Sequence, residues 1–359
     1  MIPAFRPEPF SDFKDPAVAA AFEQALAAVK EQLGKRYPMI IGGRRVDAAE
    51  AIRSVNPSQP DQVVGYAAKG GLAEAEAAVE AALQAFPAWA ATPAEVRARV
   101  LFKAAAIMRR RKHELSAWLC HEVGKNWAEA DADTAEAIDF LEYYGRQMLK
   151  LAGPQPLTPY PGEENHLYYR PLGVGVVHSP FNFPLAILTG MTAAAIVTGN
   201  TVVVKPSTEA PVIAAKLFAI LEEAGLPAGV ANLIYADPVE VGDYLTTHKD
   251  VRFINFTGSR EVGCRIYELA AKVQPGQIFL RRVIAEMGGK DAIIVDGTAD
   301  LDDAAAGIVA SAFGFSGQKC SACSRAVMTA DVYDQVLEKV VARARTLKVG
   351  PATARDTDV

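Results

Sequence analysis

Cys320, in the stretch FGFSGQKCSACSR, is the residue whose type best suits covalent chemistry. A thiolate attacks carbonyl carbon readily and later departs well, so a cysteine on a loop held by a rigid scaffold suits passage through a thioester. Two other readings stay open at this level: a buried inert thiol, and a redox dithiol with Cys323, because C-x-x-C is a known disulfide spacing. Glu286, in VIAEMGGK, ends an apolar run and precedes two glycines that let backbone pass close to a ligand. Partial burial would raise its pKa toward neutrality, where it could take a proton from water; otherwise it is a turn carboxylate. Asn182, between the prolines of SPFNFP, carries an amide that can donate to a developing oxyanion, or is simply a turn residue.

A second group of residues suits an anionic cofactor. Lys205 ends the apolar run TVVVK and Pro206 blocks its continuation, placing a cation at the carboxyl end of a strand, where open α/β sheets bind ligands. In FINFTGSREVG, Gly258 and Ser259 follow a strand and open a helix that runs on through Gly263. Backbone N–H groups there would face a pyrophosphate, with the Ser259 hydroxyl as a further donor. The dinucleotide fingerprint G-x-G-x-x-G is absent: Gly173 and Gly175 begin one, but His178 stands at its third position.

The elements that must position these residues fall into two textures. Before residue 151 the chain reads as a helix over 16–33, short strands at 39–43 and 53–56, and amphipathic helices at 72–85, 93–122 and 127–150. The Pro- and Gly-rich segment 151–171 suits an excursion such as a hairpin arm. From Leu172, strands at 174–178, 201–204, 231–235 and 252–256 alternate with helices at 184–198, 209–224, 239–247 and 260–272. That alternation predicts a parallel sheet with helices on both faces. After a boundary in EMGGK at 286–290, a second set follows: strand 291–295, helix 302–313, strand 325–329 and helix 332–347.

Composition bounds the function. Half of the 359 residues are apolar, enough for two domains, and the net charge of −5 lacks the basic footprint of a nucleic-acid binder. No secretory signal precedes the first helix, and the uncharged span between Arg170 and Lys205 is too broken by Gly and Pro to cross a bilayer. Four cysteines in so long a chain predict reduced cytoplasmic thiols, and Cys320 with Cys323 supplies only half the ligands of a structural zinc, so no metal is expected.

Taken in order, SPFNFP, VVVKPS, FTGSREVG, AEMGGK and GQKC resemble the aldehyde dehydrogenase superfamily from about Pro38 onward. The resemblance implies an α/β fold: a Rossmann-like open parallel sheet for NAD or NADP (1–150 and 172–286), an oligomerisation arm (151–171) and an α/β catalytic domain from 287. Cys320 then resembles the nucleophile, Glu286 the water-activating base, and Asn182 with the Cys320 backbone N–H the oxyanion hole. Ser179, Phe181, Lys205, Ser207 and the run Gly258, Ser259, Arg260, Glu261, Val262 and Gly263 resemble the cofactor contacts. The implied reaction is thiolate addition to an aldehyde, hydride transfer to the nicotinamide, and hydrolysis of the thioester.

GQKCSACSR, FINFTGS and the long N-terminal helix are similar to those of L-glutamate γ-semialdehyde (1-pyrroline-5-carboxylate) dehydrogenases of proline catabolism. In that group Ser321 would help hold the substrate carboxylate, Phe183 would wall the aliphatic chain, and Glu142 would pair with Lys319. Two features depart from the superfamily pattern. Thr208 stands where NAD-specific members carry Glu, which leaves NAD against NADP open. No E-x-F-G-P motif follows Cys320, so the sequence is read as C-terminally truncated, inactive as given, and a homo-oligomer when full length.

Overall fold

Asp15 accepts a hydrogen bond from the Ala17 N–H (2.8 Å) and Pro16 supplies the first helical residue, so α1 (Pro16–Lys30) starts where local chemistry allows. The computed structural model describes residues 3–359. Strands β1 (Lys35–Tyr37), β2 (Met39–Ile41) and β3 (Arg44–Val46) follow. The β2–β3 hairpin turns through Gly42 and Gly43 (φ 58° and 77°), which suits a two-residue turn needing two left-handed positions. Strands β4 (Ala51–Asn56) and β5 (Gln59–Gly70) pair antiparallel.

Three helices were expected between residues 72 and 150, and four form: α2 (Leu72–Ala91), α3 (Ala94–Arg110), α4 (Lys112–Val123) and α5 (Trp127–Leu151). α2 runs past Pro87 because its last turn is pinned: Trp89 is buried and its Nε1 donates to the Ile196 carbonyl (2.8 Å). The expected helix over 93–122 breaks at Arg111 (φ −106°, ψ 18°), whose guanidinium turns back onto Glu114. The 151–171 excursion is exposed and makes one antiparallel bridge, Gln155 to Leu167.

The expected alternation follows: β6 (Val174–His178), α6 (Ala186–Val197), β7 (Thr201–Lys205), α7 (Pro211–Glu223), β8 (Ala231–Leu233), β9 (Tyr235–Ala236), α8 (Glu240–Thr247), β10 (Val251–Thr257), α9 (Arg260–Ala271) and β11 (Arg282–Glu286). The sheet order is β11-β10-β6-β7-β8-β2-β3, parallel from β11 to β8. β6 is buried at every residue, as a central parallel strand must be. The chain leaves β6 for β7 on one side and later reaches β10 on the other. The crevice at the carboxyl ends of β6 and β10 is therefore the topological switch point, where such sheets bind ligands. The single strand expected at 231–235 divides: β8 stays in this sheet, while β9 joins β5.

The large sheet ends at Glu286, and β12 (Asp291–Val295) opens a separate two-stranded parallel sheet with β13 (Cys323–Met328). α10 (Leu301–Phe313) connects them and α11 (Tyr333–Ala344) follows, around a small core of Val295, Ile308, Val332 and Val336. The segment after α11 lies back on the start of α5, where Trp127 Nε1 donates to the Thr353 carbonyl (3.1 Å). No helix among the described residues is long and apolar enough to cross a membrane.

Candidate active site

A cleft of about 620 Å3 opens at the switch point, walled by the ends of β6, β7 and β10, by α8 and α9, and by the loop 317–320. The loop that carries Cys320 leaves α10 through three successive left-handed residues, Phe315 (φ 47°), Ser316 (φ 54°) and Gly317 (φ 71°). Non-glycine residues pay about 1–2 kcal/mol each for that conformation. The Phe315 ring, 4% exposed, anchors the distortion in the core. The turn lifts Cys320 into the cleft as an exposed free thiol. The 286–290 turn passes directly behind it: a Cβ on Gly289 would lie 2.4 Å from the Cys320 carbonyl, so only glycine fits there.

Cys323 has a different environment. It starts β13, is buried, receives the Ser311 hydroxyl as acceptor for its N–H (3.0 Å), and directs its thiol at the Arg325 carbonyl (3.4 Å). One thiol faces the cleft and the other the sheet, and both are free.

Asn182 reaches across to the same loop. Its Nδ2 donates to the Gln318 carbonyl at 2.8 Å, which leaves the second amide N–H available. Phe183, expected as a wall for substrate, is half-buried and lies edge-on to Phe315 with ring centres 6.4 Å apart. Ser321 is exposed beside Cys320.

Two expectations require correction. Lys319 pairs with Glu129 (2.7 Å), not Glu142, which is held by Arg109 (3.2 Å) and Arg146 (2.5 Å). Glu142 lies 13 residues further along α5, about 20 Å away on the helix axis, so the two carboxylates cannot serve one lysine. Glu286 is not partly buried. Alternation along β11 puts Arg282, Ile284 and Glu286 on the exposed face, with Ile284 53% exposed. The Glu286 carbonyl accepts the Gly258 N–H (3.0 Å), which ties this strand end to the start of α9.

On the other side of the cleft, Lys205 and Ser179 are only 6% and 7% exposed. The Ser179 hydroxyl has no hydrogen-bond partner among the described residues. Lys205 is no surface lysine: burial pulls its ammonium down to about 8, partly offset by Asp237. Neighbouring His178 is held neutral, lowered to about 3 by burial and then by Lys205. Phe181, Ser207, Gly258, Ser259 and Val262 line the same cleft. Ser259 caps α9 by accepting the Val262 N–H (3.3 Å), which spends a lone pair and leaves its proton. Arg260 and Glu261 are exposed and stand outside the cleft lining. Gly263 packs under the sheet edge instead, where a Cβ would lie 2.7 Å from the Met287 sulfur.

Thr208, singled out at the position where NAD-specific members carry Glu, lines the cleft, whereas sequence reasoning missed His178 and the ion pair Arg265–Asp243 (Nε to Oδ1 2.9 Å) on its wall. Only His178, next to the flagged Ser179, had a nearby signal. No group of three or more His, Cys, Asp or Glu suited to a metal occurs among the described residues.

Comparison with known proteins agrees with this geometry. The profile of the Aldehyde dehydrogenase family matches residues 45–359. The chain is 60% identical over 357 residues to a 1-pyrroline-5-carboxylate dehydrogenase of Geobacillus thermodenitrificans (strain NG80-2), covering 99% of this chain and 69% of the relative. It is 58% identical over 350 residues to that of Bacillus subtilis (strain 168), covering 98% and 68%. Among solved structures, 1-pyrroline-5-carboxylate dehydrogenase from Thermus with bound NAD superposes with a TM-score of 0.97 at 54% identity, covering 99% of this chain and 69% of that one. Sequence motifs, fold and these likenesses agree, and the chain belongs to the aldehyde dehydrogenase family.

Proposed function

We propose that this chain carries the nucleophile and cofactor site of an NAD-dependent dehydrogenase that oxidises L-glutamate γ-semialdehyde to L-glutamate. The observation that carries the reaction type is the free Cys320 thiol in the cleft, beside the Asn182 amide held 2.8 Å from Gln318. The substrate rests on the 1-pyrroline-5-carboxylate dehydrogenases to which the chain is 58–60% identical.

The Cys320 thiolate adds to the aldehyde carbon, and the oxygen becomes an anion. The free N–H of Asn182 and the Cys320 backbone N–H donate to it. Bound NAD supplies the hydride acceptor that converts the thiol adduct to the thioester. Glu286, exposed to water at the end of β11, takes a proton from the attacking water, and Cys320 leaves as thiolate while the carboxylate product departs. Lys319, paired with Glu129, holds the loop, and Ser321 offers its hydroxyl to the substrate α-carboxylate.

The cleft fits a dinucleotide on its own evidence. A buried ammonium and an unpartnered serine hydroxyl face a helix N-terminus whose first amides are free for an anion. Lys205, Ser179, Ser207, Gly258 and Ser259 would hold it, while Arg260, Glu261 and Gly263 serve the helix that presents them. We read residues 1–150 and 172–286 as the cofactor domain and residues 287–359 as part of the catalytic domain. Segment 151–171 is assigned as an arm between subunits of a cytoplasmic homo-oligomer.

The test is glutamate-semialdehyde oxidation with NAD, followed in the wild type and in Glu286→Gln by rapid quench. The variant should release one equivalent of NADH per site in a burst and then turn over slowly, because a neutral amide cannot take water's proton. An unchanged steady state would show that another group activates the water. Lys205 adds a pH signature. Its folded-state value lies below that of a free lysine, so its charge is present below about 8 and lost as pH rises through it. The Kd for NAD should therefore rise roughly fivefold between pH 7 and 9.5, the difference between a charge-assisted and a neutral hydrogen bond. Calorimetric titration of Lys205→Met should give a weak Kd that is flat over that range.

A further inference from the structure

Lys125 and Asp133 are completely buried, and neither has a place in the chemistry above. Lys125 follows Gly124, the left-handed C-cap of α4, and Asp133 lies on α5, four residues after Glu129 and so on the same helix face. Lys125 Nζ is 2.9 Å from Asp133 Oδ2. The same ammonium lies over the face of Phe183, 3.7 Å from the ring centre, and of Phe315, 4.6 Å away. Asp133 Oδ1 accepts the Ala186 N–H at 2.7 Å. Phe183 adjoins Asn182, and Phe315 opens the left-handed turn that lifts Cys320.

A buried ion pair is weak as a stabilising device, because well-packed apolar side chains of similar volume are often as stable. A cation between two ring faces does something apolar packing does not, since the attraction fixes the ring planes relative to the charge. We infer that Lys125 and Asp133 are a positioning pair for the reaction: the ammonium clamps the Phe183 and Phe315 rings, and so sets the Asn182 amide against the Cys320 loop. This inference rests on the assignment of Cys320 and Asn182 as nucleophile and oxyanion donor. Asp133 serves the clamp twice, by neutralising Lys125 and by tying down the start of α6 just after the Asn182 loop.

Removing one charge would strand the other in the core, so the informative variant is the double change Lys125→Met with Asp133→Asn. It is neutral, close in volume, and keeps an acceptor for the Ala186 N–H. The enzyme carrying it should fold and bind NAD with the wild-type Kd. Its kcat should fall about ten- to a hundredfold, the scale of a misplacement of about 1 Å, with little change in the KM for aldehyde. Asn182→Ala placed in that background should cost far less than it does in the wild type, because the amide is already out of place. A double variant with wild-type kcat, or one whose loss is fully additive with that of Asn182→Ala, would overturn the inference. An Asn182→Ala enzyme with wild-type kcat would instead overturn the site assignment beneath it. If the double variant fails to fold, Phe315→Leu, which removes one clamped ring and no charge, is measured by the same cycle with Asn182→Ala, and additivity there overturns the inference equally.

Discussion

Cys320→Ala is expected to abolish aldehyde oxidation and ester hydrolysis, while Cys323→Ala retains most of both. If Cys320 is the covalent nucleophile proposed above, its loss removes the whole route and not one contact on it, and effects on the order of 10⁶-fold in kcat are known for such changes. The two cysteines are three residues apart but occupy opposite environments: Cys320 stands free in the cleft, and Cys323 is buried at the start of β13 with its thiol turned to a carbonyl. Cys323→Ala removes only a small buried side chain from a strand. Steady-state assay of both variants is the check, and equal losses would favour a dithiol mechanism. The Cys320→Ala protein should still bind NAD normally, because the residues proposed to hold it lie on the other wall.

Asn182→Ala is expected to lower kcat by about 10²–10³-fold, or about 2.7–4 kcal/mol of transition-state stabilisation, with a much smaller change in KM. One amide N–H of Asn182 is committed to the Gln318 carbonyl at 2.8 Å. The other can meet an oxygen only once that oxygen carries the charge that makes the bond strong. Truncation also unties the loop from Asn182, so a control must separate the two effects. Alkylation of Cys320 by iodoacetamide develops no oxyanion, and its rate should stay near that of the wild type. A parallel loss of alkylation and turnover would assign Asn182 to loop support alone.

The alternating strands and helices from Leu172 onward were more legible than the segment before residue 151. Val174–His178 and Thr201–Lys205 are buried on both faces, so each must appear as an unbroken apolar run, and their bounds were nearly right from pattern alone. Pro211, Ser259 and Asp300 mark the starts of α7, α9 and α10 by chemistry that acts over two or three residues. β5 was missed because QPDQVVGYAAKG is poor in strand formers and carries glycines. It is a strand because β1, β4 and β9 pair along it and because Val64, Ala67 and Ala68 are fully buried in the core.

By itself the sequence determined the kinds of chemistry: a thiol after G-Q-K, an amide between prolines, a lysine ending a strand, a glycine-serine helix start. Those are properties of single residues and their immediate neighbours. Which residues meet was decided only in three dimensions. Glu129 and Glu142 are both acidic residues of α5, and the helix repeat of 3.6 residues separates them by about 20 Å and turns them to different sides, so one reaches Lys319 and the other Arg146. The exposure of Glu286 follows from the phase of an edge strand, and the clamp of Lys125 between Phe183 and Phe315 joins three segments nearly 200 residues apart. Helix phase, strand phase and the meeting of distant loops leave no local mark on a sequence, because the free energy that selects them comes from burial shared by the whole core.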